Sequence, residues 1–160
     1  MNEKTIMQLF FLRHGLAQDH APGLADFDRE LVPAGLEQVK RLTKKLAEWE
    51  VQPSVVYTSP RLRARQTAQI VTDYYGFHLQ VTERLDFEFN AQALQGLVDQ
   101  HQVGESLMVV GHEPSLSETI GYIIGGGNIT LKKGGLARVD LFSQHPLHGT
   151  LVWLIPPKVA

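Results

Sequence analysis

Short apolar runs of strand length recur along this chain, and segments of helix length separate them. That alternation restricts the fold more than any other feature. The first run, Ile6–Leu12, is apolar apart from Gln8 and stops at Arg13-His14, as a strand buried on both faces would. Gly15–Val32 is polar and irregular and reads as a long loop. Pro33, suited to a first helical turn, opens an amphipathic helix with Leu36, Val39, Leu42, Leu46 and Trp49 on one face. Ser54–Thr58 reads as a second buried strand. Ser59-Pro60 then reads as an N-cap and first helical residue, ahead of a helix through Ala64, Thr67, Ala68, Val71 and Tyr75. A weak strand near Leu79–Val81, a helix around Ala91–Gln100, a clear strand at Leu107–Val110 and a helix from Pro114 to about Ile124 follow. Two late strands, near Leu136–Phe142 and Thr150–Ile155, are expected to pair antiparallel at an edge. Strands spaced by helices predict an α/β fold: a three-layer αβα arrangement with a mainly parallel central sheet covered on both faces. The length predicts one domain over residues 1–160.

Composition removes several function classes. Fifteen basic residues against 17 acidic ones, a net charge of −2, leave no bulk positive charge for nucleic acid. The absence of cysteine excludes a disulfide framework and a thiolate nucleophile. The apolar run at Ile6–Leu12 is short and has no small-residue cleavage site after it, so it does not read as an export signal. Leu141–Pro157 carries no Asp, Glu, Lys or Arg, but two His and three Pro break it too often for a bilayer span. The expectation is a cytoplasmic protein with neither a nucleic-acid nor a membrane partner.

In open α/β sheets, ligands bind beyond the carboxyl ends of the strands. Here three strands end in chemically loaded turns: Arg13-His14-Gly15, Ser59-Pro60-Arg61-Leu62-Arg63 and Gly111-His112-Glu113-Pro114. A parallel sheet brings these ends side by side. Two of the turns lead into helix N-termini, which favour anions, and the arginine fork matches phosphate oxygens. The predicted pocket therefore takes a phosphate or phosphoryl group. A neutral imidazole is a competent nucleophile toward phosphorus, and arginine neighbours disfavour its protonated form. His14 is placed for that role, with Arg13, Arg63 and His112 neutralising charge on the transferring group. No metal or organic cofactor is called for. Each turn alone has a structural explanation, and their coincidence at successive strand ends carries the reading. His145-Pro146-Leu147-His148 lacks enough companions for a zinc site. The glycines at 125–127 and 134–135 lack the Gly-Lys-Ser/Thr ending of a phosphate loop and read as turns.

Phe11-Leu12-Arg13-His14-Gly15, Ser59 to Ala68 with its Arg-Ala-Arg-Gln-Thr core, and Val109-Val110-Gly111-His112-Glu113-Pro114 together resemble the signature blocks of the histidine phosphatase superfamily, the phosphoglycerate mutase-like fold. Arg29–Gln38 resembles the family's lead into its first helix. The small size and Leu131-Lys132-Lys133-Gly134-Gly135-Leu136-Ala137-Arg138 are most similar to its short phosphohistidine phosphatase (SixA-type) branch. The resemblance implies His14 as phosphoryl acceptor, with Arg13, Arg63 and His112 completing the phosphate pocket. It also selects Arg63 from Arg61, Arg63 and Arg65.

One part of the family pattern is blurred. Many members carry a general acid before the third block, where this chain reads Glu83-Arg84-Leu85-Asp86-Phe87-Glu88-Phe89-Asn90. Glu88 is the first candidate and Asp86 the second. Alkyl phosphate esters need such an acid more than phosphoramidates do, so the pattern points toward a P–N substrate. The expected activity is hydrolysis of phosphohistidine on a protein partner through phospho-His14. The alternatives are a phosphatase for small phosphate esters and a non-catalytic phosphate- or phosphoprotein-binding module. Nothing in the sequence fixes the oligomeric state.

Overall fold

A computed structural model describes residues 4–159. Its layering follows from the first strand, β1 (Met7–Arg13). Successive side chains of a strand point to opposite faces, and Leu9, Phe10, Phe11 and Leu12 are all buried. Leu9 and Phe11 enter one core with α3 (Ala91–Val98) and α4 (Ser115–Ile123). Phe10 and Leu12 enter a second core with α1 (Pro33–Glu48) and α2 (Leu62–Tyr75). A strand apolar on both faces thus calls for helices on both, and the three-layer αβα arrangement results.

The other strands are β2 (Val55–Thr58), β3 (Gln80–Val81), β4 (Ser106–Gly111), β5 (Leu136–Gln144) and β6 (Leu147–Ile155), in the order β3-β2-β4-β1-β5-β6. The first four are parallel, whereas β5 runs antiparallel to both β1 and β6. The late hairpin is longer than its apolar runs suggest, and of its two strands β6 lies at the edge while β5 is inserted beside β1. Thr58 pairs with Val110 and Arg13 with Gly111, so the carboxyl ends of β2, β4 and β1 lie side by side.

Two helix starts differ from the sequence expectation. α2 begins at Leu62, with Arg61 at the cap position and no side-chain cap. The Ser59 hydroxyl is used elsewhere, accepting the Arg61 N–H at 3.2 Å and meeting the His112 ring at 2.8 Å. Pro114 likewise sits at the cap of α4, one residue before its first turn. The long loop is nearly without regular structure, apart from a 3-10 turn at Asp26–Asp28 and an Ala17–Leu31 bridge. It is tied to α2 at both ends: Thr67 Oγ1 accepts from the Gly15 N–H at 3.1 Å and Gln66 Oε1 from the Leu31 N–H at 2.7 Å. Among the described residues no helix is long and apolar enough to cross a membrane.

Candidate active site

At the carboxyl end of β1 the backbone is held from two sides. The His14 N–H donates to Gly111 O at 3.1 Å and the Arg13 N–H to Gly135 O at 3.1 Å. The Gly134 N–H returns to the carbonyls of Arg13 (3.1 Å) and His14 (2.9 Å). Gly134 makes this turn at φ +77°, a conformation that glycine adopts without the Cβ penalty. The result is a fixed platform that turns Arg13, His14, Arg63 and His112 into one cavity of about 240 Å³. Arg29, Phe87, Glu113 and Lys133 complete its lining.

A hydrogen bond to a carbonyl assigns the His14 ring proton. His14 Nδ1 lies 2.8 Å from Gly15 O. A carbonyl only accepts, so Nδ1 carries the hydrogen and Nε2 keeps its lone pair. Burial pulls the His14 pKa down to about 4; the Gly15 hydrogen bond opposes this, and Arg63, Arg13 and Lys133 reinforce it. The imidazole is therefore neutral at pH 7. The sequence reading credited the arginines with this effect, but burial of a ring only 6% exposed contributes more.

His112 faces His14 with ring centroids 5.3 Å apart. Its Nε2 is 2.8 Å from Ser59 Oγ, which already accepts the Arg61 N–H. A serine oxygen can accept two hydrogen bonds and donate one, so this contact fits either tautomer of His112; where the hydroxyl donates to Nε2, the imidazole proton sits on Nδ1. That nitrogen is buried with no partner among the described residues. Burial, then the neighbouring His14 and Arg63, lowers the His112 pKa to about 3 against an opposing contribution from Asp86.

The cationic groups are held differently. Arg13 anchors one guanidinium nitrogen on Leu131 O at 2.9 Å, and its Nε is buried and unpaired. Burial lowers its pKa, with Glu113 opposing. Arg63, 4% exposed, donates through Nη1 to Asp26 O (2.8 Å) and through Nη2 to Asp26 Oδ2 (3.2 Å). Asp26 also receives Arg29 and Arg61, each at 2.8 Å. Burial would raise the Asp26 pKa, but hydrogen bonds and charge from Arg29 and Arg63 outweigh it and hold the carboxyl at about 2. Arg61 spans from Asp26 to Asp86 Oδ1 (2.6 Å) and stacks 3.8 Å over Phe87. The Phe87 ring in turn packs edge-on to His112, with centroids 4.9 Å apart.

Glu88 is not brought into this group. It is exposed and lines a different depression with Glu83, Arg84, Asn90 and Gln92, because its neighbour Phe87 takes the position facing the cavity. Asp86 is occupied by Arg61 and the Phe87 N–H. Glu113 is the one carboxylate of the described residues that lines the cavity. Its oxygens accept from the Ser117 N–H (2.9 Å), the Ser117 hydroxyl and the Leu131 N–H (3.3 Å). No group of three His, Asp or Glu side chains among the described residues is placed to hold a metal ion. Sequence reasoning assigned no role to Arg29, Phe87, Glu113 or Lys133, although all four stand inside the stretches that carry the family likeness or the blurred acid. Asp26 had no such signal, since Arg61 and Arg63, which it holds, are distant in sequence.

The chain matches known proteins along most of its length. The sequence profile of the histidine phosphatase superfamily (branch 1) matches residues 9–110. An uncharacterised protein of Picosynechococcus sp. is 32% identical over 165 residues, covering 94% of this chain and 100% of its own. The structure of the protein histidine phosphatase SixA complexed with tungstate superposes with a TM-score of 0.83 at 26% identity, covering 96% of this chain and 99% of that one. A phosphoserine phosphatase of Entamoeba histolytica, solved with phosphoserine, shares the fold with a TM-score of 0.76 at 16% identity, over 95% and 98% of the two chains. With the profile covering most of its sequence and SixA-type phosphatases among its structural neighbours, this chain belongs to branch 1 of the histidine phosphatase superfamily and is a phosphatase.

Proposed function

We propose that the chain hydrolyses phosphohistidine on a protein, through a phosphoryl group carried transiently on His14. The observation that supports this most is the His14 Nδ1–Gly15 O hydrogen bond, which presents a neutral Nε2 lone pair in a cavity lined by Arg13, Arg63 and His112. His14 Nε2 attacks phosphorus, the N–P bond to His14 forms, and the bond to the substrate nitrogen breaks with its electron pair going to that nitrogen. Water then attacks phospho-His14 and releases inorganic phosphate. The unpaired Arg13 Nε–H, and His112 Nδ1 in the tautomer in which Ser59 donates to Nε2, suit the oxygens of a transferring phosphoryl group, where preorganised donors act most strongly. SixA, the protein histidine phosphatase with a similar fold, was solved with tungstate, an oxyanion of phosphate-like shape.

The leaving group favours a P–N bond for a reason visible in the site. An alkoxide needs a proton as it departs, and Glu113, the lining carboxylate, is engaged by Ser117 and Leu131. A phosphoimidazole protonated on its other ring nitrogen leaves as neutral imidazole and needs no such acid. The test is turnover of a histidine-phosphorylated protein beside aryl and sugar phosphates. The expected result is the highest kcat/KM on the phosphoprotein. A preference for sugar phosphates contradicts the substrate, and phosphate binding without turnover of any of them contradicts the enzyme.

A further inference from the structure

A depression of about 890 Å³ adjoins the cationic cavity, and the two share Glu113. One wall is a single face of α4, carrying Pro114, Ser117, Glu118, Gly121 and Tyr122 at helical spacing. The opposite wall is the segment 125–130 and the tip of the β5–β6 hairpin, with Ile129 and Leu147 as its apolar side chains. The bare backbone at Gly121 lets this segment approach the helix, because a Cβ there would stand 2.8 Å from Gly127 O. Tyr122 is 70% exposed on the rim.

The two depressions differ in charge. The cavity is lined by Arg13, Arg29, Arg63 and Lys133, whereas the groove contains Glu113 and Glu118 and, among the described residues, no Lys or Arg. A group bound in the cavity that continues into the groove therefore passes from a cationic to an acidic surface. A phosphorylated side chain on a polypeptide has that form: a dianion at its tip, and a neutral or basic chain behind it. An exposed tyrosine beside apolar side chains is the kind of anchor that dominates protein recognition.

We infer that the groove along α4 binds the polypeptide segment flanking the phosphorylated histidine, with preference for neutral-to-basic sequence. The inference rests on the phosphoprotein reading above. Tyr122 and Glu118 act there as specificity residues and take no part in the chemistry.

The experiment compares wild type, Tyr122→Ala and Glu118→Lys on three substrates: phosphohistidine peptides flanked by lysine, the same peptides flanked by glutamate, and an aryl phosphate. Wild type is expected to favour the lysine-flanked peptide. Tyr122→Ala is expected to lower kcat/KM on both peptides roughly tenfold, the change that corresponds to one well-packed anchor. Glu118→Lys is expected to reverse the flanking preference. Aryl phosphate turnover stays unchanged in both variants, which also shows that they are folded. If wild type cleaves the peptides but neither variant alters their kcat/KM, or aryl phosphate turnover falls equally, the groove assignment is overturned and the substrate reading stands. If wild type cleaves only the aryl phosphate, both are overturned.

Discussion

The candidate site has a strand-borne half and a loop-borne half, and they are built on different principles. Arg13, His14 and His112 stand at the ends of adjacent strands, and backbone hydrogen bonds to Gly111, Gly134 and Gly135 fix Arg13 and His14. Asp26, Arg29, Phe87 and Lys133 come from connections, and ion pairs and stacking hold most of them. In the proposed mechanism the strand half supplies the nucleophile, the neutral His14 ring, and the unpaired Arg13 Nε–H. The loop half also positions a helix-borne arginine: Arg63 lies in the first turn of α2, and its guanidinium is aimed by Asp26. Rigid groups suit charge that develops during reaction, while a carboxylate holding three guanidiniums suits the capture of an incoming anion.

Mutation separates the halves by size and by kinetic parameter. In the strand half, Arg13→Ala should lower kcat by ~10²–10³-fold, the usual cost of one preorganised donor, as measured by steady-state turnover of a phosphohistidine protein. A loss confined to KM would place Arg13 in ground-state binding instead. Acid should also weaken this half. The His14 pKa is about 4 in the fold against an ordinary 6.5, so between those values the unfolded chain binds more protons than the folded one. Stability is then lost as pH falls from 6.5 toward 4, by up to ~3 kcal/mol from His14. Urea unfolding across that range checks it, and His14→Gln should reduce the dependence without abolishing it, because His112, at about 3, contributes over the same range.

The loop half should respond more weakly. Asp26→Asn should raise KM roughly tenfold with a smaller change in kcat, because Arg63 loses its aim but remains present. If KM falls instead, Asp26 competes with the substrate for Arg63 rather than positioning it. Glu88→Gln gives the smallest expected effect, within about twofold in kcat/KM, as for an exposed residue away from the chemistry. A large loss there would show that the segment 83–90 closes over the cavity during turnover.

The same division explains what could be read from the sequence. Strand ends were legible because β1 and β4 are mostly apolar runs, and because a parallel sheet puts residues such as Arg13 and His112 on the same edge. The helix positions followed from periodicity, but the start of α2 did not. Ser59 has the composition of a cap, and only its spatial contact with His112 shows that its hydroxyl serves the site. Asp26 was invisible because its value lies in meeting Arg61 and Arg63, more than thirty residues away. Glu88 and Phe87 show the finest limit. In an irregular segment no period dictates which neighbour faces inward, and the aromatic one does.

The central proposal is that His14 carries the phosphoryl group, and trapping that intermediate tests it most directly. Wild-type protein and His14→Ala are mixed with a histidine-phosphorylated protein, quenched in alkali within the first turnover, digested and analysed by mass spectrometry. The expected result is an acid-labile, alkali-stable phosphoryl group on the peptide containing His14 in wild type, with neither label nor turnover in the variant. Turnover by wild type with the label on another residue, or sustained turnover by His14→Ala, would contradict it.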